Sequence, residues 1–392
     1  MSRKKLQLPS RLVHMEPFRV MTVLQRAIQL EAAGRKIIHM EVGEPDFSTA
    51  RPIVEAGIRA LDSGLTQYTA AEGIVELREA ISAHYAKHYG VQIDRDRIFI
   101  TPGASGGLLL FTNLLVNAGE GVLLCDPAYP CYRNYIYMVG AEPQLVPVGI
   151  ETNFQPSVAS LNKHCKSNTS GLWLASPGNP TGTILQRNDL VETLEWAKGK
   201  KLNVLVDEIY HGLHYVDDLP SALEVDTDTF VVNSFSKYFG MTGWRLGWVV
   251  VPSEYQEIVS TLAQNLYISA SSIAQYAALA AFEEDSSAIL EQRRDSFRRR
   301  RDFLSTALKG LGFTLPDDIQ GAFYIYAGIE NFSDDSEKFC ADILEEHGVA
   351  ITPGRDFGES DSSLFVRFAF TTDLDNLQLG VERLTRALRK AH

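Results

Sequence analysis

One lysine stands where the chain could carry out covalent chemistry. Lys237 follows two hydroxyl residues, Ser234 and Ser236, at the end of an apolar run, and Arg245 comes eight positions later between glycines. A lysine that is removed from water loses proton affinity and becomes a usable amine nucleophile. Serine hydroxyls and an arginine suit a phosphate group. The segment therefore predicts a nucleophilic lysine beside a phosphate site.

Polar residues follow apolar runs at four other places. The turn TPGASGG (101–107) leaves backbone N–H groups free at a helix start, which suits an anion, although many such turns are simply tight. Tyr129 is either a stacking aromatic or a core residue, and Asn179 has an Asx turn as its default role. Asp207 ends the run NVLV, where a carboxylate caps the strand or needs a cationic partner or strong donors. The lysine segment indicates which ligand these residues would bind, because a lysine nucleophile beside a phosphate site fits one cofactor well, pyridoxal phosphate.

Alternating strands and helices would bring these segments together. Runs rich in Val, Ile and Leu predict strands buried on both faces, and helical patterns separate them. This order predicts an α/β protein with a mostly parallel sheet, in which ligands bind at the carboxyl ends of the strands. The predicted strands are 97–101, 121–126, 172–176, 203–207, 229–235 and 247–251, and the predicted helices include 73–89, 105–116, 187–198 and 254–264.

The sequence changes character near residue 290. A long charged amphipathic helix, two strand-like segments (AFYIYAG and LFVRFAF) and a last amphipathic helix follow, at 289–311, 322–328, 364–370 and 376–390. This pattern predicts a second, smaller domain of the α+β class.

The bulk composition excludes several classes of protein. The 392 residues carry a formal net charge of -12, which argues against nucleic acid or an anionic membrane as the main partner. No stretch reaches the roughly 18 apolar residues that span a bilayer, and the basic N-terminus lacks the apolar run of a signal peptide. The four cysteines and nine histidines show no metal-ligand spacing. We expect a cytoplasmic protein with free thiols and no metal site.

The lysine segment SFSKYFGMTGWRLG (234–247) closely resembles the cofactor-lysine motif of the class I and II aminotransferases, which are fold type I pyridoxal-phosphate enzymes. Nine more of the family's motifs occur in the family's order over nearly the whole chain: VGEPDF, YTAAEGIVELREAI, TPGASGG, DPAYPCY, SPGNPTG, VDEIY, GAFYIY, GVAITPGRDFGE and VRFAF. The resemblance is closest to the branch of aspartate- and alanine-type transaminases. It implies a large cofactor-binding domain over 48–289, and a small domain formed by 1–47, which includes an N-terminal arm, with 290–392.

The resemblance also implies a role for each candidate residue at the cofactor. Lys237 would hold pyridoxal phosphate as a Schiff base and move a proton during the reaction. Asp207 would pair with the protonated pyridine nitrogen, and Asn179 and Tyr210 would hydrogen-bond the oxygen of the ring hydroxyl. Tyr129 would stack on the ring. The phosphate would be bound by Ala104, Ser105, Ser234, Ser236 and Arg245.

Two further roles concern the substrate and the assembly. Arg367 would clamp the substrate α-carboxylate in a bidentate pair, and Gly43, with Asn179, would lie beside it. Tyr68 would reach the phosphate from the second subunit, which implies a homodimer with shared active sites. The small-molecule partners would be an L-amino acid and a 2-oxo acid.

The reaction leaves alternatives open at this stage. A transaminase, a C–S β-lyase or another pyridoxal-phosphate enzyme acting on an amino acid would share these cofactor residues, and the sequence does not place the residues that separate them. A transcription regulator with an aminotransferase-like sensor would need a DNA-binding domain, for which the chain before VGEPDF is too short. The identity of the substrate side chain is not indicated.

Overall fold

The structure, a computed structural model, describes residues 9–389. Residues 1–8 of the predicted N-terminal arm and the predicted helix end at Lys390 lie outside the described residues. The strands are β1 (Ile38–His39), β2 (Ile98–Thr101), β3 (Gly121–Asp126), β4 (Glu142–Pro147), β5 (Thr169–Ala175), β6 (Asn203–Asp207), β7 (Phe230–Ser234), β8 (Gly247–Val250), β9 (Tyr324–Gly328), β10 (Val349–Ala350), β11 (Thr352–Pro353) and β12 (Phe365–Ala369).

Helices flank these strands along the chain, and short 3₁₀ turns and one π-helical turn (Ile343–His347) connect them. The α-helices are α1 (Arg19–Ala32), α2 (Arg51–Asp62), α3 (Val75–Tyr89), α4 (Gly103–Leu115), α5 (Cys131–Met138), α6 (Val158–His164), α7 (Arg187–Lys200), α8 (Ala222–Val225), α9 (Gln256–Tyr267), α10 (Ser272–Leu279), α11 (Glu284–Leu311), α12 (Ser336–Asp342) and α13 (Leu374–Arg389).

Seven strands form the central sheet in the order β2-β8-β7-β6-β5-β3-β4. β8 runs antiparallel to both of its neighbours, and the other pairs are parallel. One face of the sheet packs into a cluster with Leu172 and Val231, and the other into a cluster with Phe111 and Val232, so apolar side chains on both faces are removed from water. The predicted α/β class with a mostly parallel sheet is confirmed.

One strand of this sheet was not predicted. β4 lies at the edge, and its sequence EPQLVP contains two prolines. Because proline cannot donate to a ladder, it is tolerated in edge strands, and the sequence lacks the continuous apolar run of a central strand. The pattern therefore gave no strand signal there.

A second apolar cluster gathers the C-terminal part of the chain. The three-stranded antiparallel sheet β11-β12-β9 packs against Phe297 and Leu304 of α11 and Leu377 of α13. Ile38 and Met40 join the same cluster, and β1 pairs with β10, so the early segment packs with the C-terminal part. The exact domain limits stay a prediction.

Among residues 9–389, no helix is both long and apolar enough to cross a membrane. The predicted cytoplasmic location is a separate matter and stays a prediction.

Candidate active site

Neighbouring strands bring Asp207 and Lys237 to one edge of the sheet. Asp207 is the last residue of β6, and β7 pairs beside it in parallel, so their carboxyl ends lie together. After β7 the side chains of Phe235 and Phe239 are both buried in the apolar core. Lys237, which lies between these two phenylalanines in the sequence, lines the cavity instead.

Nine of the predicted site residues line one cavity of about 210 Å³. The cavity lies at the carboxyl ends of the strands, as expected for a sheet of this class. These nine residues are Gly43, Ala104, Ser105, Tyr129, Asn179, Asp207, Tyr210, Lys237 and Arg367. The other four predicted residues, Tyr68, Ser234, Ser236 and Arg245, do not form part of its lining.

Lys237 lies with its amine inside this cavity. Its Nζ donates a hydrogen bond to the carbonyl oxygen of Gly43 at 2.8 Å. Burial, with the nearby charge of Arg367, lowers the pKa of the lysine to about 8. The amine therefore exists partly in its neutral form near neutral pH, which is the form that a nucleophile or a general base requires.

Asp207 is 3% exposed and holds two donors. The hydroxyl of Tyr132 donates to its Oδ2 at 2.6 Å, and the backbone N–H of Ile209 donates to its Oδ1 at 3.0 Å. Burial raises the pKa of Asp207 to about 6, an effect that these donors and Lys237 partly offset. At neutral pH the carboxylate is thus ionised, and it can hold a cationic group in the cavity.

Sequence reasoning did not identify Tyr132. It lies three residues after Tyr129, at the start of α5, and packs edge-on against Trp173 with ring centroids 6.1 Å apart. The motif DPAYPCY contains this tyrosine, but only the fold shows that it reaches a carboxylate 75 residues further along the chain.

An anion-suited cradle lies at the start of α4. Gly103 has φ +71°, and a Cβ there would lie 2.7 Å from Nη2 of Arg245, so the guanidinium is seated against the first residue of the helix. Gly247 allows the start of α4 to lie close to β8, since a Cβ added to this glycine would lie 2.8 Å from the backbone nitrogen of Ala104. Gly247 in turn pairs with Ser234, whose Oγ lies 2.9 Å from Oγ of Ser236. Helix N–H groups, hydroxyls and an arginine are donors that fit a phosphate.

Arg367 lies at the other end of the cavity, on β12. It is 4% exposed, its Nη1 donates to Oδ1 of Asn179 at 3.0 Å, and its Nη2 donates to the carbonyl oxygen of Glu41. Within the part of the chain that the structure describes, its buried Nε has no hydrogen-bond partner. A buried guanidinium with a donor still unpaired suits a carboxylate ligand.

Tyr324 is a second residue that the sequence did not single out. Its ring lies 4.3 Å from the guanidinium carbon of Arg367, and its hydroxyl is 3.1 Å from that of Tyr210. A Cβ on Gly43 would lie 1.8 Å from the Tyr324 hydroxyl, so only glycine leaves room for this ring. The predicted space beside Arg367 is thus occupied in part by a tyrosine from β9.

Tyr68 lies apart from all of these residues. It is 82% exposed and outside the cavity, so its predicted contact with a second subunit's phosphate stays a prediction. Over residues 9–389, no group of three or more His, Cys, Asp or Glu side chains is arranged to hold a metal ion.

Comparisons with known proteins identify the family of this chain. The family model for aminotransferase class I and II matches residues 35–384. The chain is 38% identical to the (5-formylfuran-3-yl)methyl phosphate transaminase of Methanocaldococcus jannaschii, over 98% of this chain and 100% of that protein. It is 35% identical to the valine–pyruvate aminotransferase of Mycobacterium tuberculosis, over 94% of this chain and 95% of that protein.

A solved structure gives the same result for the fold. The crystal structure of an aminotransferase from Mycobacterium tuberculosis matches with a TM-score of 0.95 and 34% identity, over 98% of this chain and 99% of that one. These relatives are named as aminotransferases, which favours the transaminase over the lyase alternative. The chain therefore belongs to the class I and II aminotransferases, a family that in general depends on pyridoxal phosphate and transfers an amino group between an amino acid and a 2-oxo acid.

Proposed function

We propose that this aminotransferase binds pyridoxal phosphate in the cavity, with Lys237 as the residue of covalent attachment. The observation that carries the proposal is the position of this partly neutral amine between two complementary groups. The cradle at the start of α4 supplies donors for a phosphate, and Asp207 supplies a buried carboxylate for a cationic ring nitrogen. The cofactor, when bound, supplies an electron-withdrawing ring that stabilises negative charge at the substrate α-carbon.

The residues of the chain then have separate tasks. Lys237 accepts a proton from the substrate and returns it, which its lowered pKa allows near neutral pH. Asp207 stays ionised and holds the ring nitrogen in its charged form, and Tyr132 orients this carboxylate through its 2.6 Å hydrogen bond. Asn179 and Tyr210 donate to the oxygen of the ring hydroxyl, and Tyr129 covers a face of the ring.

Arg367 binds the substrate α-carboxylate in this proposal. Its unpaired Nε and its fixed planar guanidinium favour a two-point contact with a carboxylate. Because Tyr324 and Phe357 lie against the guanidinium, with ring centroids 4.3 and 4.7 Å from its central carbon, the group has little freedom to turn. The enzyme therefore requires amino acids with a free α-carboxylate.

We further propose a homodimer in which Tyr68 of each subunit contributes to the phosphate site of the other. Tyr68 is 82% exposed, and the preceding helix α2 and the turn after it expose further apolar side chains, Ile58, Leu61 and Leu65. A group of neighbouring exposed apolar side chains marks a surface that is covered in an assembly. This surface is the one that would bring Tyr68 to a second subunit.

The attachment site is tested by reducing the purified, cofactor-loaded enzyme with borohydride and mapping the labelled peptide by mass spectrometry. We expect one labelled peptide, which contains Lys237, and no label in Lys237→Ala. The control Lys198→Ala removes a lysine whose side chain is 76% exposed and pairs with Asp226, and it should leave the label in place. A label on any other lysine would contradict the proposal.

The shared site is tested by mixing Lys237→Ala with Tyr68→Ala. If sites are shared, a hybrid dimer collects both lesions in one site and none in the other, so subunit exchange raises activity above the mean of the parents. If Tyr68 served its own subunit, every hybrid site would carry one lesion and mixing would give no gain. An enzyme that is active as a monomer would refute the shared site.

A further inference from the structure

The cavity wall is largely apolar outside the groups described so far. Apart from those polar residues and Asp356, the lining comes from apolar side chains, which include Phe18, Val20, Met21, Val42, Ile209 and Phe357. The ring of Phe357 lies 4.7 Å from the central guanidinium carbon of Arg367. The apolar wall thus adjoins the group that binds the α-carboxylate in the proposed function.

The carboxylate of Asp356 binds the backbone at the first turn of α1, beside this cavity. Asp356 accepts hydrogen bonds from the backbone N–H groups of Arg19 at 2.7 Å and Val20 at 3.3 Å. Phe18, at the helix start, makes no side-chain cap, and its ring lies 6.5 Å from the ring of Tyr129. A carboxylate at a helix N-terminus is favoured by the helix dipole, so α1 is held with its apolar residues facing the cavity.

Within the described residues of one subunit, the cavity offers no uncommitted cation for a second carboxylate of a substrate. Among the described residues that line the cavity, the cationic side chains are Lys237 and Arg367, and both already have a task. Arg19 lies close by, but its guanidinium pairs with Glu16 and Glu337. Arg133 donates to the backbone oxygen of Asp356 at 3.2 Å. A side-chain carboxylate would lose water against this apolar wall, find no cationic partner among these residues and face the negative charge of Asp356.

We infer that the enzyme prefers amino acids with apolar side chains, together with the matching 2-oxo acids, over aspartate and glutamate. Val20 and Met21, on the first turn of α1, are specificity-determining residues. The inference rests on the proposed function, because it takes Arg367 as the site of the α-carboxylate. It adds the chemical class of the side chain.

The test compares leucine with aspartate in the half-reaction of the purified, cofactor-loaded enzyme, followed by its absorbance. The two side chains have the same heavy-atom skeleton, so the comparison isolates charge from shape. We expect the second-order rate constant of the half-reaction to be at least about 10²-fold higher for leucine than for aspartate. A site that offers no partner for a charged side chain strongly disfavours binding of that side chain. Equal or faster reaction with aspartate would overturn the inference.

Substitutions on α1 test the residues themselves. Met21→Arg and Val20→Arg place a cation in the wall, and each should shift the ratio towards aspartate by about tenfold or more. Met21 is 55% exposed, so its substitution is tolerated by the fold even if that of Val20 is not. Ile28→Arg, on the same helix, 54% exposed and outside the cavity lining, is the matched control and should leave the ratio unchanged.

The outcomes separate this inference from the proposed function. If no standard amino acid reacted with the wild-type enzyme, the proposed function would fail. If amino groups were transferred but aspartate were preferred, only the side-chain inference would fail. A ratio unchanged in both folded, cofactor-loaded variants would remove α1 as its determinant.

Discussion

The two ends of the cavity are built in different ways. The base, with Asp207, Lys237 and the start of α4, is carried by adjoining strands of one sheet and by the turns that follow them directly. The rim, with Arg367 and the first turn of α1, joins segments far apart in the chain: the Arg367–Asn179 contact spans 188 residues and the Arg19–Asp356 contact 337. The residues proposed to hold the cofactor at the base thus lie in short motifs close to the sheet, whereas those proposed to select the substrate are brought together by the packing of distant segments.

The largest effect is expected at the base, from Lys237→Ala. Removal of a positioned general base alone typically reduces a rate by about 10²–10⁴-fold, and the loss of covalent attachment adds to this. We expect turnover to fall at least about 10³-fold while the circular dichroism spectrum stays unchanged. Lys198→Ala is the control on an exposed lysine, and it should retain full turnover.

At the rim, Arg367→Lys should produce the next largest effect. The substitution keeps the charge but loses the planar fork, and we expect kcat/KM to fall about 10²-fold. Wild-type enzyme should also discriminate strongly against amino-acid amides, and the variant should lose much of this discrimination. If amides and free acids reacted equally well with the wild type, Arg367 would not be the carboxylate site.

A smaller effect at the base is expected from Tyr132→Phe. The variant loses the donor to Asp207, and a hydrogen bond to a charged group contributes about 1.5–3 kcal/mol, so turnover should fall by roughly 10- to 10²-fold. Because the donor favours the ionised carboxylate, its loss raises the pKa of Asp207 further, and the acidic limb of the rate profile should move to higher pH. Tyr137→Phe changes a tyrosine of the same helix outside the cavity, and it should leave both quantities unchanged.

The smallest effect concerns the stability of the cofactor-free protein. Burial lowers the pKa of Lys237 from 10.5 to about 8, so between these pH values the unfolded chain binds more protons than the folded chain. The buried lysine therefore lowers the free energy of unfolding, and this effect has its full size below pH 8. Lys237→Met should therefore increase the free energy of unfolding at pH 7 by on the order of 1 kcal/mol.

This gain in stability should shrink as the pH rises from 8 towards 10.5 and disappear above 10.5, because the lysine is neutral in the folded state from about pH 8 but in the unfolded state only above 10.5. Urea unfolding at pH 7 and pH 10 measures it, with Lys198→Met as the exposed control. A gain that did not depend on pH would point to packing of the methionine rather than to relief of a buried charge.

The sequence indicated site residues that lie in motifs, and it missed those that act through contacts with distant segments. Lys237 and Asp207 were predicted because Asp207 ends β6 and Lys237 follows β7 within a motif, and parallel strands bring their carboxyl ends together. Phe18, Val20 and Met21 gave no signal, because α1 reads as an ordinary amphipathic helix until its partner Asp356 is placed beside it. Tyr132 and Tyr324 were missed for the same reason: each acts through a contact with a residue distant in sequence.

Gly43 sets a limit on how this site could change by mutation. Any side chain there would collide with the Tyr324 hydroxyl, and its carbonyl oxygen already accepts the hydrogen bond from Lys237. A substitution at this position would therefore disturb both ends of the cavity at once. Met21 is 55% exposed, so the first turn of α1 can accept side chains that Gly43 cannot.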